Sequence, residues 1–148
     1  MATALHAPLS FSGDASAIIT SNAMGVRIGD RHAAAKLFRE LADHPRELVC
    51  LAYIDPQWML LGLCEIESRL ETSVNVPVKR IMADALHLDA TNVVMAHNHP
   101  SGDPRPSDQD IATTRRIARA LALIEVQLVD HLIIASNGVT SLRAMGLL

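Results

Sequence analysis

The side chains best suited to chemistry lie within fourteen residues, from His97 to Asp110. His97-Asn98-His99-Pro100 closes an apolar run of Val93, Val94 and Met95. Ser107-Asp108-Gln109-Asp110 follows a segment punctuated by Pro100, Gly102, Pro104 and Pro106. The apolar run, bounded by Asp89 and Asn92 before it and by the Pro/Gly segment after it, predicts a buried strand. Residues two apart on a strand point the same way, so His97 and His99 present their imidazoles together at its end. The proline-stiffened loop returns the chain and delivers Ser107 and Asp110 to the start of a helix. Two imidazoles and a carboxylate make a three-ligand set for Zn2+ that leaves the fourth tetrahedral position for water. That is the layout of a hydrolytic site rather than a structural one.

Each part also has a plainer role. Ser107-x-x-Asp110 is a capping box, and its carboxylate gains from the positive end of the helix dipole. A histidine at a strand end is commonly a solvated or hydrogen-bonded polar residue. The coincidence of all these groups is what points to a metal. Hydrolysis needs a base as well, to take a proton from a water whose pKa the metal lowers to about 7. The apolar stretch 58–66 runs into Cys64-Glu65-Ile66-Glu67, and Glu65 and Glu67 share a strand face. Glu65 follows the unbroken run Met59–Cys64, whereas Glu67 leads into Ser68 and Arg69. A base needs partial desolvation, so Glu65 is the candidate.

The elements that must hold these groups alternate along the chain. Residues 1–29 are Ala/Ser-rich and aperiodic, a lead segment with a short strand expected around Gly25–Ile28. Asp30 caps a helix expected to reach Asp43, with Ala34, Leu37, Phe38 and Leu41 as its apolar stripe and His44-Pro45 as its stop. Glu47–Ile54 and Trp58–Ile66 predict an antiparallel hairpin around Asp55-Pro56-Gln57. A short strand is expected near Val74–Val76. Val78, Ile81, Met82, Ala85 and Leu86 then mark an amphipathic helix over 78–88. The strand 91–97, a helix from Ser107 to about Leu123, a strand Val126–Ala135 and a last strand Val139–Leu142 complete the order. This is one α/β domain over 30–148, a mixed β-sheet flanked by helices on both faces.

Composition narrows the class. The 148 residues are 49% hydrophobic and 20% charged, which is globular, and only 3% aromatic, so the core must be aliphatic. A net charge of −3 gives no global attraction to nucleic acid. Arg115, Arg116, Arg119, Lys79 and Arg80 could form a local basic patch, but charges on exposed helix faces are usually just solvated. Cys50 and Cys64 sit in apolar runs and predict buried thiols in a reducing compartment. No basic-then-apolar leader opens the chain and no run approaches 18 apolar residues, so the expectation is cytoplasmic, without a membrane partner. The H-x-E and P-C-x-x-C pair of zinc deaminases does not occur. His131 reads as a core residue, with support of the metal site as the alternative.

Glu65, then His97-x-His99, seven residues, Ser107, two residues and Asp110 together resemble the signature of the JAMM (MPN+) metallohydrolases. The closer resemblance is to the RadC branch, whose HNHPSG-x-P-x-PS-x-x-D core stands here as residues 97–110, with Asp130-His131-Leu132-Ile133-Ile134 as its downstream strand. The resemblance implies a JAMM/MPN-like fold. It implies His97, His99 and Asp110 as zinc ligands, Glu65 as catalytic base and Ser107 as the group that steadies the oxyanion. It implies hydrolysis of amide bonds in a peptide or isopeptide, with a peptide or protein substrate of unknown identity. A homo-oligomer is a separate expectation that the resemblance does not carry. The alternative is a DNA-repair-associated nucleic-acid-binding or metal-binding interaction module without peptidase activity. Where the family shows Gly-Thr and Pro-Arg-Glu, this chain has Arg69-Leu70 and Val78-Lys79-Arg80, positions expected to line the substrate groove. The helix-hairpin-helix region of longer RadC proteins is not evident in the first 29 residues.

Overall fold

The protein is described from a computed structural model over residues 25–67 and 76–148. Among the described residues, five strands form one mixed sheet. β1 (Leu48–Ile54), β2 (Leu60–Glu67), β3 (Asn92–Asn98), β4 (Gln127–Ala135) and β5 (Gly138–Ser141) stand in the order β2-β1-β3-β4-β5. Only the β3–β4 pair is parallel. Parallel neighbours need a crossover, which α3 (Asp108–Ala122) supplies. Ligand sites in such units form beyond the carboxyl ends of the strands, and this is where His97 and His99 stand.

Strand alternation divides the interior in two. Val49, Leu51, Tyr53, Cys64, Ile66, Val93 and Met95 face α2 (Val78–His87) and α3, meeting Ile81, Ala85, Ile117 and Leu121. Leu48, Cys50, Ala52, Ile54, Val94, Ala96, Leu132 and Ile134 face the other way, onto Ala34, Phe38 and Leu41 of the N-terminal helical segment. Both faces of the sheet are thus covered, which makes β1 buried at all seven positions. The expected α/β class, with helices on both sides of a mixed sheet, is what the chain forms.

Local chemistry moves several boundaries. Asp30 caps α1 (Arg31–Leu37), accepting from the Ala33 amide at 2.7 Å. The helix then gives way at Phe38 (φ −98°, ψ 7°) to a 3-10 turn over Arg39–Asp43 instead of running on. The second strand opens at Leu60, not at residue 58. Asp55 Oδ1 accepts from the Gln57 and Met59 amides at 2.8 Å each, and Trp58 sits at φ 66°, which no strand residue adopts. The strand expected at 25–28 is a single bridge, Arg27 to Met59. The Val74–Val76 strand falls largely outside the described residues, as do residues 1–24 of the lead segment and Arg69-Leu70. Cys50 and Cys64 are buried free thiols, on opposite faces of the sheet. Among the described residues no helix is long and apolar enough to cross a membrane.

Candidate metal centre

β3 ends at Asn98, and His97, Asn98 and the following His99 point to alternate sides. His97 and His99 face α3, and Asn98, between them, faces the opposite way. Ser107 and Asp110 arrive on the first turn of α3 through the 100–106 loop. That loop packs so closely on the β4–β5 turn that a Cβ at Gly102 (φ +85°) would lie 2.8 Å from Ser136 Oγ. Ser107 accepts from the Asp110 amide at 3.1 Å, and its own amide donates to Asp110 Oδ2 at 2.7 Å, so the capping box is complete. Capping therefore does not divert Asp110 from the histidines. Its Oδ1 is 3.2 Å from His97 Nε2 and its Oδ2 is 3.3 Å from His99 Nε2.

The two Nε2 atoms are 2.9 Å apart. Nδ1 of His99 donates to the Asp103 carbonyl at 2.8 Å, which leaves Nε2 of a neutral His99 without a hydrogen. Nδ1 of His97 faces Nε2 of His131 at 2.6 Å, again turning Nε2 into the cleft. Glu47 joins from the residue before β1, its Oε1 3.9 Å from His97 Nε2. One ligand atom from each of Glu47, His97, His99 and Asp110 lies within 4.8 Å of the others. Four acceptors converging on one point is the arrangement that a cation satisfies, so the residues present fit a metal ion. The cleft has a volume of about 130 Å³ and is also lined by Ser107, Gln109, Thr113, Met95 and His131.

The electrostatics agree. Burial opposes ionisation of Asp110, but in the metal-free cleft the hydrogen bond and charge of a His97 protonated at Nε2, and then the bonds with Ser107, outweigh it. The carboxyl is held well below the usual carboxylate range and is ionised, as a ligand must be. Burial, then the neighbouring His97, pushes His131 well below the ordinary imidazole value, so this ring is neutral. His131 is 2% exposed and Thr114 is fully buried beside it.

The structure corrects the placement of Glu65. Val49 pairs with both Ile66 and His97, whereas Glu65 pairs with Cys50, which pairs with Ala96. Glu65 is therefore one residue out of phase with His97 and sits on the far side of the sheet. There it lines a separate hollow with Phe38, Leu41, His44 and Leu63. Glu67 shares that side and pairs with Arg46 at 2.7 Å. The carboxylate brought to the cleft is Glu47, whose segment is clamped by Asn98. Asn98 Oδ1 accepts from the Leu48 amide at 2.7 Å, and Nδ2 donates to the His44 and Arg46 carbonyls at 3.0 Å each. Glu47 opens the same strand whose apolar run was read from sequence, and its spacing to Val49, Leu51 and Tyr53 is the signal for its side. Asn98 had no signal beyond its place between two histidines.

The chain is similar to known proteins. Residues 28–147 match the RadC-like JAB domain. A UPF0758 protein of Bordetella avium is 39% identical over 108 residues, covering 73% of this chain and 48% of its own length. A UPF0758 protein of Polaromonas is 37% identical, covering 74% of this chain and 49% of its own length. A UPF0758 protein of Cellvibrio japonicus is 33% identical, covering 82% and 56%. The chain thus spans about half the length of these relatives. With the domain match covering the sheet, the β3 histidines and the start of α3 together, this chain belongs to the RadC-like JAB domain family.

Proposed function

We propose that the chain is a zinc-dependent hydrolase of amide bonds, in a peptide or isopeptide, with Glu47 in the role of base that Glu65 was expected to fill. The observation that carries this is the convergence of Glu47, His97, His99 and Asp110 within 4.8 Å, beside Ser107, in one cleft. His97, His99 and Asp110 are the ligands, being mutually within 3.3 Å, while Glu47 stands farther out at 3.9 Å with its side chain 36% exposed. Zinc held there supplies Lewis acidity and lowers the pKa of water to about 7. Glu47 takes the proton from the attacking water and passes it to the leaving amine. Ser107 accepts from the Asp110 amide, which leaves its own hydroxyl hydrogen free to donate to the developing oxyanion.

Elemental analysis and rates on a peptide or isopeptide library test this. One zinc per chain is expected, lost in His97→Ala. Glu47→Gln should keep zinc and fold but lose hydrolysis, while Glu65→Gln stays near wild type. Absence of zinc after zinc-supplemented expression refutes the metal assignment. The reverse pattern in the two glutamine variants refutes the base assignment. Sequence-specific DNA binding that persists at physiological salt, with no hydrolysis, would favour the repair-associated module.

A further inference from the structure

Thr114 has one hydroxyl hydrogen, and its use is fixed. Oγ1 donates to the Asp110 carbonyl at 2.6 Å, an oxygen that can only accept. Toward His131 Nδ1, 2.5 Å away, the same hydroxyl must then accept. His131 therefore carries its hydrogen on Nδ1, and the Nε2 of this buried neutral ring is an acceptor. That nitrogen faces His97 Nδ1 at 2.6 Å, so His97 also carries its hydrogen on Nδ1. Nε2 of His97 is left with its lone pair free to take a metal ion. The polarity of three hydrogen bonds is thus set by one backbone carbonyl.

We propose that Thr114 and His131 are positioning residues that fix the tautomer and direction of His97 and couple it to the helical turn bearing Asp110. The histidine lies on β3, the carboxylate on α3 and the bridging imidazole on β4, so one hydroxyl ties two ligands from separate elements to a third. Partners of this kind hold ligand geometry, and their loss weakens metal binding without removing a ligand. The inference rests on the metal reading above.

Zinc affinity of the purified chain, by competition with a chromophoric chelator, tests it. Thr114→Val keeps the side-chain shape and removes the hydroxyl, and should bind zinc about 10- to 100-fold more weakly. Thr114→Ser should restore affinity close to wild type, which a packing role would not predict. Long-range proton–nitrogen NMR at neutral pH should show His131 of the wild type protonated at Nδ1, and a mixture of tautomers in Thr114→Val. If Thr114→Val does not fold, the wild-type spectrum decides alone. An Nε2-protonated His131 in the wild type, or wild-type zinc affinity in Thr114→Val, overturns the proposal. Failure of the wild type itself to take up zinc overturns the metal reading, and this inference with it.

Discussion

Replacing Asn98 by alanine isolates what the residue between the two histidines contributes. Its amide is fully buried, and its orientation is unambiguous because the Leu48 amide can only donate and the His44 and Arg46 carbonyls can only accept. Truncation leaves the buried Leu48 N–H unpaired, at a cost of about 2 kcal/mol. The two carbonyls lie in a partly solvated turn and recover most of their bonding from water, costing roughly 0.5 kcal/mol each. The total, ~3 kcal/mol, corresponds to a fall in Tm of about 6–12 °C for a chain of this size. Urea unfolding followed by circular dichroism measures it, as a lower midpoint with an unchanged slope. Asn98→Asp keeps the acceptor for Leu48 but turns a carboxylate oxygen onto two carbonyls, so it should do at least as much damage. Zinc content should survive in Asn98→Ala, because His97 and His99 point away from Asn98, while hydrolysis falls as Glu47 loosens. A loss below about 1 kcal/mol, or an aspartate variant as stable as wild type, would show that the clamp is unimportant.

Ser107→Ala should cost about 1 kcal/mol in urea unfolding through loss of the cap, and should slow turnover with zinc retained; a stability loss with unchanged turnover would leave Ser107 a cap only. Burial first, helped by Glu65 for Cys50 and by Asp84 for Cys64, pushes both thiols up to about 12. The folded state therefore keeps protons that the unfolded chain releases near its ordinary thiol value, about pH 8.5, and stability should decline as pH rises from there toward 12. A Cys50→Ala, Cys64→Ala double variant should show a shallower decline, and both native thiols should resist a chromogenic disulfide reagent until the chain is unfolded; immediate stoichiometric reaction would contradict their burial.

The periodic elements were legible because their burial is one-sided or complete. The stripe of α2 and the apolar runs of β1, β3 and β4 announce themselves through Ile81, Ala85, Leu51, Met95 and Ile133. What was not legible lies where a single residue's backbone overrides the pattern. Trp58 is β-prone by type, yet the Asp55 turn forces it to φ 66° and delays β2. Phe38 and Leu41 fit one continuous helical stripe, yet both are buried across a break between α1 and a 3-10 turn.

Glu65 shows a different limit. Alternation within a strand is readable from sequence, and it correctly sent His97 and His99 to one side and Glu65 with Glu67 to one side. Whether those two sides coincide depends on the registers β2–β1 and β1–β3, and a shift of one residue reverses the answer. The β2–β1 register carries an irregularity between Tyr53 and Ile54, beside the turn whose length a count along the chain must assume. Glu47 avoids that uncertainty, since it shares strand phase with Val49, the direct partner of His97. Thr114 was open to the same kind of reasoning. Asp110, Thr114, Ile117 and Leu121 follow one helical stripe toward the sheet, and Thr114, Ile117 and Leu121 are fully buried along it. A hydroxyl in such a stripe must find a partner, and the nearest polar group on the facing strand is His131, which it meets at 2.5 Å. Polar residues that interrupt an apolar stripe below a candidate site are therefore better pointers to its supporting groups than the carboxylates at a strand end.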